Sequence, residues 1–348
     1  MKSLSLIAAF VAVLVLHGAA RSQILLNRYS FDPARTQSVT DSPGLNSNSV
    51  TDIVINGSTI WLGTGKGASR SLDGGATWRQ YYNTPGFGTE DVSAIAVHHN
   101  EVWIATAHTE VIDNSPLSVG SGLHYSADGG ETWQHFPQPL DKNNVDTLYY
   151  NAFSPIRALG ITTAVNNITY DIAITDSAVW ITSFAGMARK SIDKGRTWER
   201  VILPPDGLNR IMPTDTLKFD LSPSKGKLGL EENLNHRAFS VMAENAQTIW
   251  IGTAGGINKS TDGGRSWTKF SHQNQLSPIS GNFVIALGKQ EATGIIWAGT
   301  KNAQDPAEKS GISFTADSGA TWKTGLLNEF VHAVGFNGTI AYAATDNG

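Results

Sequence analysis

Five aspartates that recur in one short motif are the first residues of this 348-residue chain that could do chemistry. A glycine follows each of them two positions later, and a Trp closes the motif. A carboxylate beside a tight turn could act as a general acid or bind a cation. The copies read "SLDGGATW", "SADGGETW", "SIDKGRTW", "STDGGRSW" and "TADSGATW", with aspartates Asp73, Asp128, Asp193, Asp262 and Asp317 and tryptophans Trp78, Trp133, Trp198, Trp267 and Trp322.

A structural role explains five equivalent copies better than catalysis, because one active site does not need five acids. A short acidic side chain accepts hydrogen bonds from nearby backbone N–H groups and holds a turn. The glycine two places on adopts positive φ without steric cost. The Trp fills space between sheets, and truncation of a buried Trp costs roughly 3–5 kcal/mol. We therefore predict that these ten residues are scaffold.

A pair of histidines, His98 and His99, could indicate a metal site. Zinc needs three or four converging ligands, and neither an H-x-x-x-H spacing nor a cluster of histidines and acids accompanies the pair in the sequence. The Asp-Gly-Gly turns lack the alternating aspartates of an EF-hand-like calcium loop. The glycine-rich "GTAGG" joins two predicted strands and does not open a helix, so it is no phosphate cradle. We predict neither a metal nor a cofactor.

The elements that carry the motif form a longer repeat. Every copy has a second Trp upstream, in a strand of the type "WIGT", and a sixth copy has Tyr342 in its place. The first copy predicts four strands, A to D: "VTDIVIN", "TIWLGT", "ASRSL" and "TWRQYY". Asn-Gly joins A to B as a hairpin turn, and the Asp motif joins C to D. The upstream tryptophans are Trp61, Trp103, Trp180, Trp250 and Trp297.

Repeated four-stranded antiparallel units predict an all-β fold, and specifically a β-propeller. A β-solenoid is the alternative, although its coils are usually shorter and more regular. The count predicts five complete blades and an incomplete sixth, as in a fragment of a propeller with six to eight blades. The sixth copy ends after strand B at Gly348. Truncation is one interpretation; ring closure by "ILLNRYSF" (24–31) is the other.

The closing motif S-x-D-x-G-x-T-W resembles the Asp-box (BNR) repeat. That repeat occurs in sialidases, in endoglucanase and xyloglucanase propellers, in sortilin-type receptors and in secreted bacterial propellers. The "WIGT" strand, preceded by "LNSNSVTDIVING" (Leu45–Gly57), also resembles the two-component-regulator type of propeller repeat. The resemblance covers about residues 45–348. It implies a propeller fold with high specificity and implies an activity only weakly.

Resemblance to sialidases would imply an arginine cluster, a Tyr nucleophile and an "R-I-P" motif before the first Asp-box. No such motif precedes Asp73, and "RIMP" at Arg210–Pro213 is interrupted and misplaced. An inverting xyloglucanase-like enzyme needs two carboxylates roughly 6.5–9.5 Å apart. The long loops contain six acids that could supply the pair, and no spacing distinguishes two of them: Asp113, Asp146, Asp215, Asp220, Glu231 and Glu232.

Strand alternation predicts which side of the repeat carries function. Connections B–C and D–A leave one side of each blade, which we call the insertion-bearing side, and A–B and C–D leave the other, the Asp-box side. The long insertions are 108–121, 137–167, 203–236 and 301–310, and all fall on the first side. Long loops on a rigid scaffold commonly carry function. The predicted binding residues are therefore His108, Asp113, Tyr149, Tyr150, Arg157 and Arg210.

Composition narrows location and partners. Lys2 followed by an apolar run to Leu16 predicts a signal peptide over 1–22, too short for a membrane span of about 20 residues. Residues 23–44 form an N-terminal segment and 45–348 the propeller. A formal charge of −4 does not suit nucleic acid. A chain without Cys must hold itself together by packing alone.

These observations predict a secreted, non-catalytic propeller that acts as a binding or structural module of an extracellular or cell-envelope protein. A carbohydrate or a protein is the expected partner. The alternative is a glycoside hydrolase, xyloglucanase-like or sialidase-like, with its site among the long B–C and D–A loops.

Overall fold

The computed structural model describes residues 44–142, 146–222 and 233–348. The predicted signal peptide and the segment 24–31 lie outside these residues, as do Glu231 and Glu232. The regular secondary structure of the described part is almost entirely β-strand, with one short 3-10 helix at Leu234–His236. Within it, no helix is long and apolar enough to cross a membrane. The described residues divide into two compact units, with the boundary between Val92 and Ser93.

The described residues of the first unit form one antiparallel sheet, which we call blade 1. Its strands follow one another in the order β1 (Val50–Asn56), β2 (Thr59–Thr64), β3 (Gly67–Ser71) and β4 (Arg79–Tyr81). Asn56 pairs with Thr59 across the Asn-Gly turn, where Gly57 has a φ of +62°. Trp61 is buried and stacks on Tyr81 with ring centroids 5.4 Å apart. The predicted strands and hairpin of the first copy are thus confirmed.

Four further sheets of the described residues repeat this order, and β5 includes the boundary between Val92 and Ser93. Blade 2 consists of β5 (Asp91–His98), β6 (Glu101–Ile112), β7 (Ser115–Ser126) and β8 (Gln134–Phe136), and blade 3 of β11 (Asp171–Thr175), β12 (Ala178–Ser183), β13 (Met187–Ser191) and β14 (Glu199–Arg200). Blade 4 consists of β17 (Ala238–Ala243), β18 (Ile249–Thr253), β19 (Gly256–Ser260) and β20 (Trp267–Phe270). Blade 5 consists of β21 (Phe283–Gln290), β22 (Ile295–Lys301), β23 (Gly311–Thr315) and β24 (Lys323–Gly325).

The sixth copy contributes a two-stranded hairpin, β25 (Val331–Asn337) with β26 (Ile340–Thr345). Its register runs from Val331 opposite Thr345 to Asn337 opposite Ile340. Tyr342 is half exposed, whereas the tryptophans at the equivalent strand-B position are buried in blades 2, 3 and 4. Whether a strand from 24–31 pairs here stays a prediction.

Tryptophans from neighbouring blades hold the second unit together. The Asp-box Trp of one blade meets the strand-B Trp of the preceding blade edge to face in three successive places: Trp198 on Trp103, Trp267 on Trp180 and Trp322 on Trp250. Their ring centroids lie 6.3, 6.2 and 6.4 Å apart. Edge-to-face contact is the geometry that the ring quadrupoles favour. The two Trp series of the repeat therefore form one packing unit between blades.

The long D–A connections are not plain loops. They contain β9 (Thr147–Tyr149), β10 (Pro155–Ala158), β15 (Arg210–Ile211) and β16 (Asp220–Leu221). β9, β10 and β16 form a separate three-stranded sheet in which β10 and β16 run parallel. β15 adds a fifth strand to blade 4, beside β20. We call the described residues of these two connections, 137–142, 146–167, 203–222 and 233–236, the wrap. Strands of two to four residues have no readable alternation of apolar and polar side chains, so they were not predicted from the sequence.

A buried ion cluster attaches the wrap to blade 3. Asp141 Oδ1 lies 3.0 Å from Arg189 Nη2, and Asp141 Oδ2 lies 3.1 Å from Arg200 Nη2. The three side chains are 8, 3 and 1% exposed. Asp141 Oδ2 also accepts the backbone N–H of Ile161, and the Asp141 N–H donates to the carbonyl of Ile161. One carboxylate thus joins strands C and D of the blade to both ends of a loop.

Candidate functional site

The Asp-box turns share one hydrogen-bond pattern. In blade 3, Asp193 Oδ1 accepts the Thr197 backbone N–H at 2.8 Å and Oδ2 accepts the Thr197 hydroxyl at 2.6 Å. The Ser191 hydroxyl donates to Asp193 and accepts the Gly195 N–H at 2.8 Å. The equivalent bonds recur at Asp73, Asp128, Asp262 and Asp317.

These hydrogen bonds favour the ionised carboxylate. Those from Thr77, Thr197 and Thr321 lower the pKa of Asp73, Asp193 and Asp317 from 3.8 to about 2. Bonds from Thr132 likewise lower the pKa of Asp128. A general acid works best with a pKa near the operating pH. Carboxylates of this kind are poorly suited to donate a proton, whereas they are well suited to hold a turn.

Backbone conformation explains why the fourth and fifth positions of the Asp-box favour glycine. The second glycine has a φ of +79° at Gly195 and +91° at Gly264. An added Cβ would approach the Trp of the preceding blade, to 2.6 Å at Gly195 and 2.5 Å at Gly264. The place before it is also left-handed, even where the residue is Lys194 (φ +57°) or Ser318 (φ +61°). The sequence argument found the turn requirement but not the close approach.

The insertion 108–121 is a hairpin extension of blade 2. β6 and β7 pair without interruption by a loop down to Ile112 opposite Ser115, and Asp113 lies in the left-handed turn at the tip with a φ of +50°. His108 Nδ1 lies 2.7 Å from Ser121 Oγ, and His108 Nε2 lies 3.1 Å from Glu110 Oε1. The predicted binding residues His108 and Asp113 thus belong to one element, at its base and its tip.

The hairpin meets the wrap. Val119 bridges Val165, the Gly120 N–H donates to the Ala164 carbonyl at 3.0 Å, and the Asn166 N–H donates to the Ser118 carbonyl at 2.8 Å. The structure therefore brings together the predicted B–C insertion 108–121 and the end of the D–A insertion 137–167.

The other four predicted binding residues lie on the wrap, in two places. Tyr149 and Arg157 are exposed on the neighbouring strands β9 and β10. The Tyr150 hydroxyl donates to the Arg265 carbonyl at 2.5 Å, and burial raises its pKa above the ordinary value. Arg210 lies on β15, the outer strand of blade 4, and pairs with Thr268 of β20.

The expectation that every long insertion stays opposite the Asp-boxes is wrong for the wrap. Arg265 lies within the Asp-box turn of blade 4, so Tyr150 reaches the Asp-box side. Nearby, Asn151 and Ser154 donate to the Asp215 carbonyl at 2.8 and 3.0 Å. In the described part of the wrap, β15 lies beside β20 at the outer edge of blade 4. The insertions 108–121 and 301–310 do lie at B–C ends, between β6 and β7 and between β22 and β23.

An aromatic cluster that the sequence argument missed lies at the inner end of the insertion-bearing side. Phe239 is buried at the start of strand A in blade 4 and contacts Phe283, Tyr170 and Phe184 with ring centroids 4.4, 5.4 and 6.3 Å apart. The guanidinium of Arg237 lies 5.1 Å from the Phe184 ring centroid. An aromatic residue at or beside the first position of strand A, in copies three, four and five, was the available signal.

On the Asp-box side, the histidine pair has a partner that the sequence did not reveal. His98 Nε2 lies 2.8 Å from Asp176 Oδ1, and His99 Nε2 lies 3.9 Å from the same atom. The expectation that no acid clusters with these histidines is therefore wrong, because folding brings Asp176 beside them. Asp176 is 78 residues from His98 and lies in the A–B turn of blade 3, whereas His98 ends strand A of blade 2 and His99 lies in the turn that follows.

Comparison with known proteins identifies the repeat and the fold. A family model of the BNR/Asp-box repeat matches residues 124–135. An ancestral GH74 enzyme superposes with a TM-score of 0.50 at 16% identity, over 84% of this chain and 33% of that one. The extracellular domain of the proposed one-component system BT4673 from B. thetaiotaomicron gives 0.49 at 15% identity, over 88% and 32%. No curated protein matches the chain.

The chain spans about a third of the length of these two solved structures, and identities this low bear on the fold alone. The BNR/Asp-box match, the superposition on the GH74 enzyme, the repeated four-stranded sheets and the five closed Asp-box turns identify the chain as an all-β propeller that carries BNR/Asp-box repeats.

Proposed function

We propose that this chain is a secreted, non-catalytic binding module and that its ligand is a carbohydrate. The observation that carries the proposal is the aromatic cluster on the insertion-bearing side, where Phe184, Phe283 and Tyr170 remain partly accessible around Phe239. Apolar aromatic faces beside a few polar groups are typical of small-molecule and sugar sites. The signal peptide predicted over 1–22 supports secretion.

Two positively charged side chains favour an acidic ligand at the proposed surface. Arg237 lies over Phe184, and Lys301 Nζ lies 4.5 Å from the Phe330 ring centroid, both at the inner end of the same side. A guanidinium forms bidentate hydrogen bonds with a carboxylate. A polysaccharide that bears carboxylate groups therefore fits this side better than a neutral one.

The five Asp-box turns have the role of scaffold in this proposal. Their carboxylates are saturated by hydrogen bonds from the same turn, as at Asp193. Among the acids that a hydrolase could use, Asp215 accepts the backbone N–H of Met212 at 2.8 Å and Asp146 lies 3.0 Å from the Thr147 hydroxyl. Both carboxylates thus have local structural partners on the wrap, on a different element from Asp113.

Titration of the purified protein with soluble acidic and neutral polysaccharides, followed by calorimetry, tests the proposal. We expect Phe184→Ala to weaken binding about fivefold, since an aromatic contact contributes about 1 kcal/mol. The matched control is Ile192→Ala, which removes an exposed apolar side chain from an Asp-box turn and should leave the affinity unchanged. Equal effects of the two variants, or binding to a protein partner but to no polysaccharide, would contradict the carbohydrate proposal.

The non-catalytic part has its own test. Incubation with the same polysaccharides, with xyloglucan and with a fluorogenic sialoside should release neither reducing ends nor fluorophore. Turnover that is abolished by replacing Tyr149, Tyr150 or Arg157 would support a sialidase instead. Turnover abolished by replacing Asp113 or Asp215 would support an inverting hydrolase.

A further inference from the structure

Two A–B turns in neighbouring blades bring three metal-binding side chains together on the Asp-box side. His98 ends β5, His99 occupies the turn after it with a φ of +53°, and Asp176 follows the last residue of β11. One ligand atom from each lies within 4.8 Å of the other two. His99 and Asp176 are 77 residues apart, the same separation as the strand-B residues Trp103 and Trp180. The repeat therefore places them at equivalent positions on adjacent blades.

The geometry points to a surface site for a divalent transition metal, with zinc as the fitting ion, held by His98, His99 and Asp176. Zinc binds imidazole nitrogen and carboxylate oxygen at about 2.0–2.2 Å, so two ligand atoms of a tetrahedral site lie about 3.3 Å apart. The observed separations from Asp176 Oδ1, 2.8 and 3.9 Å, lie on either side of that value. Small side-chain rotations would bring the three atoms to a common ion.

The surroundings suit an open coordination site. The three side chains are 33, 80 and 82% exposed and line a cleft of about 340 Å³. Rigid hairpins supply the backbone on both sides, which limits the entropy lost when an ion binds. Three protein ligands leave a fourth position for water or for a ligand brought by a partner.

A neighbouring positive charge is neutralised within the same cleft. Lys194 Nζ lies 2.6 Å from Glu101 Oε1 and 3.4 Å from the Tyr125 hydroxyl oxygen. Lys194 replaces the usual glycine of its Asp-box and adopts the left-handed conformation there. Its ion pair with Glu101 reduces the repulsion that a free ammonium would exert on a bound cation. The imidazole-rich donor set favours zinc, copper or nickel over magnesium or calcium.

Calorimetric titration of the untagged protein with ZnCl₂ tests the site. We expect one ion per chain with a Kd below about 1 mM, the weak end of measurable binding, and no heat of binding with MgCl₂ or CaCl₂. His98→Ala, His99→Ala and Asp176→Asn should each weaken binding at least about tenfold, because even an outer-shell partner contributes about 10- to 100-fold. The matched control is His332→Ala, which breaks a His–Asp pair of 2.6 Å that lacks a second histidine.

A second measurement needs no variant. Zinc should slow the modification of His98 and His99 by diethyl pyrocarbonate and leave that of His332 unchanged, as read by peptide mass spectrometry. Zinc affinity that all three site variants retain, or protection that falls on other histidines, would overturn the assignment. Loss of affinity in the site variants with retention in His332→Ala would establish it.

Discussion

The Asp-box turns and the wrap perform the same task, which is to hold the ends of strands, by opposite means. Each Asp-box closes through bonds between residues at most four apart, as Asp193 does with Thr197 and Ser191. The wrap depends on partners far away in sequence. Asp141 meets Arg189 and Arg200, 48 and 59 residues on, and Tyr150 meets Arg265, 115 residues on.

This difference separates features that repeat from features that occur once. A turn whose hydrogen-bond partners are local can be repeated in every blade. Its removal from one blade should therefore lower the free energy of unfolding by about as much as its removal from another. Among the described blades, no other blade has arginine at the two positions that Arg189 and Arg200 occupy, and the charges of the cluster at Asp141 are buried. Its loss should therefore affect the whole attachment of the wrap.

The largest effect is expected from Asp141→Ala. The substitution leaves the buried guanidiniums of Arg189 and Arg200 without their carboxylate, and removal of one partner from a buried ion pair costs about 3–5 kcal/mol. Urea unfolding, followed by tryptophan fluorescence, measures the change. Asp146→Ala, an exposed carboxylate on the same wrap, serves as control and should change the free energy of unfolding by less than about 0.5 kcal/mol. Equal costs would refute the importance of the buried cluster.

Gly264→Ala should have the next largest effect. The added Cβ would lie 2.5 Å from Trp180 Cη2 at a φ of +91°. Gly294→Ala is the control for backbone strain alone, because its φ of +71° is also left-handed and no other atom lies within 4 Å of the added Cβ. We expect Gly264→Ala to cost about 1–3 kcal/mol more than Gly294→Ala, the usual range for overpacking. A smaller difference in unfolding free energy would show that the two blades can separate to make room.

Ser191→Ala sharpens the claim that the turns are interchangeable. It deprives the buried Gly195 N–H of its acceptor, a loss of about 1–3 kcal/mol. Ser126→Ala removes the equivalent acceptor from Gly130 in blade 2. The two free energies of unfolding should agree within about 0.5 kcal/mol. A difference of several-fold would mean that blade context, rather than the local turn, determines the cost.

The smallest effect is expected in the pH dependence of stability that the Asp-box carboxylates cause in acid. The pKa of Asp193 and Asp317 falls from 3.8 to about 2 on folding, so between about pH 4 and pH 2 the unfolded chain binds protons that the native turns do not. Stability from these turns is present above pH 4 and is lost as the pH falls toward 2. In thermal melts, replacement of both by Asn should reduce the loss of melting temperature over this window. An unchanged pH slope would contradict the assignment of ionised turn carboxylates.

The sequence predicted most of the scaffold because the interactions that define it are periodic and local. Strand β1, the Asn56-Gly57 hairpin and the Asp-box turns could all be read from single short stretches. The partnership of His98 with Asp176 and the reach of Tyr150 to Arg265 could not, because each joins positions on different blades that only the packing of blades brings close. The aromatic cluster around Phe239 lies between these cases, since its residues recur in the repeat but their contacts are between blades.

Hydrogen–deuterium exchange with and without a bound acidic polysaccharide tests the central claim most directly: that the repeated turns are scaffold and the insertion-bearing side binds. We predict slower exchange at the amides around Phe184, at Arg237 and in the hairpin 108–121, with unchanged exchange at the Asp-box turns of blades 3 and 4. Protection concentrated at Asp193–Thr197 and Asp262–Ser266, with none around Phe184, would contradict the account.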